Sequence, residues 1–238
     1  AGLLPRHRTR RAFQSSAPAE AGRVRTRGAM RGIAFLRHLF AALALGAALA
    51  AALPAQDAQA EIKFALQHEP LVDVILDAMA KRKIPERITH NDTKFNNVML
   101  DTLTGEAKCV VDLDTVMPGC ALYDFGDMVR TTTSPTLEDE KDLSKVKMHM
   151  PIFKKLAQGY LSTAGKFLTR AEKSHLAFSG KLITFEIGIR FLTDYLRGDT
   201  YFRIHRPNHN LDRCRTQFKL VESIEQQEKA MQKFVNGL

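Results

Sequence analysis

Between His90 and Asp127 the chain places polar residues at intervals that leave little freedom of fold. His90-Asn91-Asp92-Thr93-Lys94-Phe95-Asn96-Asn97 runs into Val98-Met99-Leu100. A turn-rich stretch from Asp101 to Glu106, with Gly105, separates that apolar run from Cys109-Val110-Val111, which leads into Asp112-Leu113-Asp114. Two short apolar runs about a turn predict a small hairpin. Such a hairpin folds Asp112 back beside Asn97. Tyr123-Asp124-Phe125-Gly126-Asp127 closes the segment.

Downstream, helical periodicity dominates. Ile152, Phe153, Leu156, Ala157, Tyr160 and Leu161 mark an amphipathic helix. Thr169 with Glu172 is a capping-box pattern that opens a long helix reaching Leu196 and ended by Gly198. Leu182, Phe185, Ile187, Ile189, Phe191 and Leu192 make that helix apolar nearly all round, so it is expected at the centre. Tyr201 to Asn210 reads as an aromatic and basic loop. Leu211, Cys214, Phe218, Val221, Ile224, Met231 and Phe234 trace a last long helix. Upstream, Leu71, Val72, Ile75, Leu76 and Met79 mark a helix stopped by Pro85. Ala121 to Arg130 is helical by the same reading, and the polar residues 131–146 read as a mobile surface segment. The fold class is α+β, mostly helical, with the body at 61–238.

The net charge of +9 is unevenly spread. Residues 1–60 hold nine Arg against Glu20 and Asp57, or +7, which leaves about +2 for the body. The high pI belongs to the leader, so no nucleic-acid partner is expected. Residues 1–29 have a transit-peptide-like composition. Met30-Arg31 then opens a signal-like order, with the apolar run Leu39 to Leu53 and Ala58-Gln59-Ala60 as a cleavage candidate. The run is short for a membrane span. A cleaved or bipartite targeting segment, an anchor through 39–53 and an upstream tail are the readings open for 1–60. The leader points to an organelle or to export, whereas the body is cytosol-like. Cys109, Cys120 and Cys214 form no Cys-x-x-Cys pair, so neither a zinc knuckle nor a disulfide framework is supported.

The chemistry suggested by the central segment is phosphoryl transfer. That reaction asks for a carboxylate to orient the attacking hydroxyl, and for magnesium to neutralise the phosphates. Asp92 suits the first role. Asn97, five residues on, and Asp112, at the end of the paired strand, suit hard-oxygen ligation of Mg2+. Lys94 stands where it either faces a transferring phosphoryl group or lies on the surface. Asp114 is either a further metal contact or an exposed strand-end residue. His90, Asp124 and Asp127 are read as structural supports of the loop. Glu186, Arg190 and Asp194 share one helix face, as an internal ion-pair ladder or as sugar contacts. Arg203, His205, Arg206, Arg213 and Arg215 read as a solvated basic face.

His90-x-Asp92-x-Lys94-x-x-Asn97 with Asp112-Leu113-Asp114 and Asp124-Phe125-Gly126-Asp127 resembles the aminoglycoside phosphotransferase and choline kinase superfamily. Within it, Thr89 to Lys94, Val111 to Gly119, Arg190-Phe191-Leu192-Thr193-Asp194-Tyr195-Leu196 and Asn210-Leu211-Asp212-Arg213 look most like the N-acetylhexosamine kinases. The resemblance covers roughly 65–238. It implies a protein-kinase-like C-terminal lobe and a kinase using ATP and Mg2+ to phosphorylate the anomeric hydroxyl of an N-acetylhexosamine-like acceptor. Asp92 and Lys94 would be catalytic, Asn97, Asp112 and Asp114 would face metal, and Thr115, Arg190, Asp194 and Tyr195 would be candidates for the acceptor. One departure stands out. No glycine-rich loop after a strand precedes His90, and no Lys precedes Lys63. The chain therefore resembles such a lobe without its nucleotide-binding partner lobe. The alternative is a truncated or pseudokinase lobe that binds sugar or a partner without turnover.

Overall fold

The computed structural model describes residues 57–238. The Arg-rich stretch and the apolar run 39–53 lie outside the described residues. Seven helices and four short strands follow in chain order among those described: α1 (Gln59–Gln67), α2 (Val72–Ala80), β1 (Arg87–Thr89), β2 (Val98–Leu100), β3 (Ala107–Val110), β4 (Met117–Gly119), α3 (Ala121–Thr132), α4 (Met150–Ala164), α5 (Arg170–Ser174), α6 (Leu176–Leu196) and α7 (His209–Val235). The expected α+β, mostly helical class holds at this level. Helix α1 begins before residue 61. Ala58 is fully buried and the Asp57 carbonyl accepts from Arg215, so Ala58-Gln59-Ala60 belong to the packed body. None of the described helices is long and apolar enough to cross a membrane.

Helix α6 is central because it has almost no polar face to give to solvent. It is covered by α3 on one side and by α7 along most of its length. Gly126 of α3 and Gly180 of α6 allow the first crossing. A Cβ on Gly126 would strike the carbonyl oxygen of Ser179, and one on Gly180 would lie 2.7 Å from Val129. One buried cluster gathers Leu122, Phe125, Val129, Phe153, Leu176 and Leu182, and a second gathers Ile62, Phe185, Ile189, Leu192, Leu211 and Phe218. Leu71 and Tyr123 pack against both.

The capping box at Thr169 forms as expected. Glu172 N–H donates to Thr169 Oγ1 (3.1 Å) and Thr169 N–H to Glu172 Oε2 (2.7 Å). The helix it opens is short, however. The chain turns at His175 and restarts as α6, so the single helix expected from Thr169 to Leu196 is two. The 131–146 segment also departs from expectation. It is tied down at Glu138 by Arg130 (2.8 Å), at Asp139 by Arg206 (3.1 Å), and at the Glu140 carbonyl by Thr216 (2.9 Å). Its polarity marked a surface position, but two of the three partners are remote in sequence, Arg206 in the loop before α7 and Thr216 in α7.

The strands form two antiparallel pairs. β2 pairs with β3 as the expected hairpin, with Val98 opposite Val110. β1 pairs with β4, with Thr89 opposite Met117, a pairing that the sequence did not announce. Together the pairs bracket the loop from His90 to Asn97.

Candidate active site

The loop's shape comes from interactions at three points. Asp124, in the first turn of α3, accepts from His90 N–H (2.9 Å) and Asn91 N–H (2.7 Å). Thr93 Oγ1 donates to the Asp124 carbonyl at 2.6 Å. His90 Nε2 donates to the Val111 carbonyl (3.0 Å), while its Nδ1 accepts from Asp92 N–H (3.3 Å). That pattern fixes the tautomer with the proton on Nε2. Asn91 carries φ of 64° and donates from Nδ2 to Thr89 O in β1 and to Thr115 O in the turn before β4. Burial pushes the Asp124 carboxyl above its ordinary value, against the lowering effect of the two amides.

Asp92 lies at the centre of this cage. Its Oδ2 accepts from Lys94 Nζ at 2.8 Å and from Asn97 Nδ2 at 3.0 Å. Burial works against ionisation, yet these two donors outweigh it and hold the carboxyl below its usual range. Asn97 is buried, and its amide N–H groups both go to Asp92, one of them to the backbone carbonyl at 2.8 Å. Asn97 Oδ1 is therefore left free as an acceptor. The Asn97 carbonyl accepts from Val111 N–H at 2.9 Å, which brings the next residue, Asp112, beside it. Asp112 has φ of 62°, in the left-handed region, and a half-exposed carboxylate 3.9 Å from Lys94 Nζ. Asp114 is exposed, in the turn that follows.

A cleft of about 530 Å³ opens beside Asp92. Of the proposed acceptor residues, Thr115 and Arg190 line it. Thr115 Oγ1 is buried without a hydrogen-bond partner. Arg190 lies over the Tyr201 and Phe202 rings, and 3.9 Å from Glu186, whose carboxyl burial pushes up. The expected ladder is thus one pair, Glu186 and Arg190. Asp194 sits behind the wall. Its carboxylate accepts from the backbone N–H of Thr200, Tyr201 and Phe202 and from Asn210 Nδ2, at 2.8–3.0 Å. Tyr195 packs in the second buried cluster and does not line the cleft.

The basic loop is divided in the fold. Arg203, His205 and Arg213 line the cleft, whereas Arg206 pairs with Asp139 and Asp212, and Arg215 with Glu61. Reading all five as a solvated face missed the cleft-lining three. Arg130 and Glu138 were missed as well. Arg130 stands three residues after Asp127 and pairs with it at 2.9 Å; that spacing was visible, but its second partner Glu138 was not. Lys94, Arg130, Arg190, Arg203 and Arg213 line the cleft with Asp92 and Glu138, and Asp112, Asp127 and Glu186 pair with Lys94, Arg130 and Arg190 from behind the wall.

A family comparison gives the arrangement a lineage. The model of the phosphotransferase enzyme family matches residues 7–143, more than half of the chain and the whole of the segment from His90 to Asp127. The chain belongs to the phosphotransferase enzyme family. The match also takes in most of the stretch read above as a leader. In the structure an acidic loop residue, an amide and a second carboxylate stand together around Lys94.

Proposed function

We propose that the protein transfers a phosphoryl group from ATP, with Mg2+, to a hydroxyl of a neutral sugar. The observation that carries this reading is the joining of Asn97 and Asp112 to Asp92 and Lys94, the two residues of the set that line the cleft. The acceptor hydroxyl lies against Asp92. As its oxygen forms a bond to the γ-phosphorus, the bond from that phosphorus to the leaving β-phosphate oxygen breaks, and the proton passes to the Asp92 carboxylate. A carboxylate held below its usual range is a weak base. That suits a loose transition state, in which orienting the hydroxyl matters more than early proton removal. Lys94 neutralises Asp92 in the free protein and exchanges it for the phosphoryl oxygens when nucleotide arrives.

Asn97 Oδ1 and the Asp112 carboxylate are the residues that would hold magnesium. They fit it: both offer hard oxygens, one free of other partners and one half-exposed, and few protein ligands are needed where phosphates supply the rest. When bound, the ion neutralises charge on the phosphates. Asp114 is a further candidate ligand.

A neutral acceptor suits this wall, because its two carboxylates are already engaged, Asp92 by Lys94 and Glu138 by Arg130, and offer an ammonium group no free partner. An N-acetylhexosamine, in which acylation removes the amine charge, agrees with the resemblance. The test is transfer of γ-labelled phosphate from ATP with Mg2+ to N-acetylglucosamine, N-acetylgalactosamine, choline and kanamycin. Labelling of the first two alone is expected, and preferential labelling of the cationic acceptors would overturn the reading.

A second reading, binding without turnover, draws on one observation. Ile88, Phe95, Met99, Val110 and Leu113 are exposed apolar side chains crowded into the segment that carries Asn97 and Asp112. Patches of this kind mark surfaces built to be covered. Calorimetry with MgATP separates the two readings, since no heat at millimolar nucleotide would leave this polypeptide without the transfer reaction.

A further inference from the structure

Two walls of the cleft are tied together by one buried histidine. His209, the first residue of α7, is 4% exposed, and both of its ring nitrogens are engaged. The His205 N–H can only donate, so Nδ1 accepts it, at 3.2 Å. The proton of the neutral ring then sits on Nε2 and goes to Asp139 Oδ2 at 3.0 Å. His205 belongs to the loop that lines the cleft with Arg203, and Asp139 follows Glu138, which lines it from the 131–146 segment. Arg206 adds a second bond to Asp139 at 3.1 Å.

A second proton on this ring has one place to go. It would turn Nδ1 from acceptor to donor and set two N–H groups against each other across 3.2 Å. Its charge would also stand at the N-terminus of a 27-residue helix, the end at which cations are disfavoured. Of the charged groups around the ring, Arg213 of α7 and Arg206 of the loop oppose the cation and Asp139 favours it. Asp212 pairs with Arg206, and Glu138 with Arg213. Burial and the two guanidiniums prevail and hold the imidazole below its ordinary 6.5. Its contribution to stability is therefore whole above that unfolded value and is lost as pH falls through the lower folded one. At its other end the same loop is held by Asp194, through the amides of Thr200, Tyr201 and Phe202.

We propose that His209 is a positioning residue for the cleft: its neutral ring ties the loop carrying Arg203 and His205 to the segment carrying Glu138, and its protonation releases the His205 end of that loop while the Asp194 end stays fixed. The inference goes beyond the transfer reading, and its first test needs no turnover.

The experiment is amide hydrogen exchange, followed by NMR on the full chain from about pH 8 to pH 5 beside the titration of the His209 ring. After correction for the intrinsic rate, the His205 amide should lose about tenfold in protection per pH unit below the midpoint of that titration, while the Tyr201 and Phe202 amides keep theirs. In His209→Asn, whose Oδ1 falls close to the place of Nδ1, the His205 amide should stay protected across the range. Protection that is flat with pH in the wild type overturns the joint without any variant, and so does a loss that persists in His209→Asn. Acceptor kinetics supply the link to the cleft. KM for N-acetylglucosamine should rise about tenfold per pH unit over the same interval with kcat little changed, and should stay level in His209→Asn. Absence of product removes the transfer reading and leaves the exchange result to decide the joint. Product whose KM ignores the His209 titration removes the positioning role and leaves the transfer reading.

Discussion

Asp92 gathers the argument at the level of single side chains. Its carboxylate is shared between Lys94 and Asn97, so replacing it removes the base and the anion that Lys94 pairs with at 2.8 Å. Asp92→Asn should lower phosphotransfer by about 10²–10⁴-fold with ATP affinity little changed, as read by labelled product and nucleotide calorimetry. Lys94→Met should reduce transfer by a smaller factor, about tenfold or more, and loosen the loop around Asp92. The pH dependence has a definite sign. A carboxyl whose folded-state value lies below its ordinary 3.8 stays ionised throughout the neutral range. Its contribution to stability is present above the unfolded value and is lost as pH falls through the depressed one. A rate profile should therefore show no acid limb from Asp92 above about pH 5. A limb near neutrality that disappears in Asp92→Asn would contradict the assigned state.

At the level of helices and strands, Arg87 of β1 reaches α5. It makes two hydrogen bonds to Glu172, at 2.6 and 2.8 Å, and Glu172 is also half of the capping box. The Glu172 side chain is fully buried. Burial opposes its ionisation, but Arg87 and the Thr169 groups outweigh that and hold its carboxyl below the ordinary value. Arg87→Met leaves a buried carboxylate without its cation and should cost about 3–5 kcal/mol in urea unfolding at pH 7. The loss should shrink in acid, because the pair stabilises above the unfolded value of Glu172 and fades as pH drops through the lower folded one. Thr169→Ala should cost about 1 kcal/mol. The two halves of this device differ in how far they could be read from the sequence. Thr169 and Glu172 are three residues apart and form a local pattern. Arg87 is 85 residues from Glu172, and no periodicity reports such a partner. The same contrast explains the site. Asp92, Asn97 and Asp112 flank one hairpin within about twenty residues of sequence, so local spacing revealed them. Arg130, Glu138, Arg203 and Arg213 come together only through the packing of α3, α7 and the loops, and polarity alone made the last three look like surface.

For the body as a unit, the two buried clusters are not independent. Helix α6 serves both, and Leu71 and Tyr123 bridge them. The described residues should therefore unfold together. Far-ultraviolet circular dichroism and tyrosine fluorescence, the usable emission in a chain without tryptophan, should give coincident thermal midpoints. Two separated transitions would show that the clusters are separable. The mostly helical class was readable from periodicity because α6 and α7 are long, and each repeats its apolar residues over many turns. The pairing of β1 with β4 was not, since three-residue strands carry too little pattern to name a partner.

Asp194 holds the loop after α6 by its main chain, through three backbone amides that belong to any amino acid except proline. The shape of that wall therefore rests on these main-chain bonds and on the Phe202 ring packed against Phe191, and not on the side chains of Arg203 and His205. Arg203 and His205 can be exchanged without dismantling the loop that presents them. A lineage built on this body is free to change the charge of its cleft in single steps, from basic to neutral to acidic, while the scaffold beneath keeps its form.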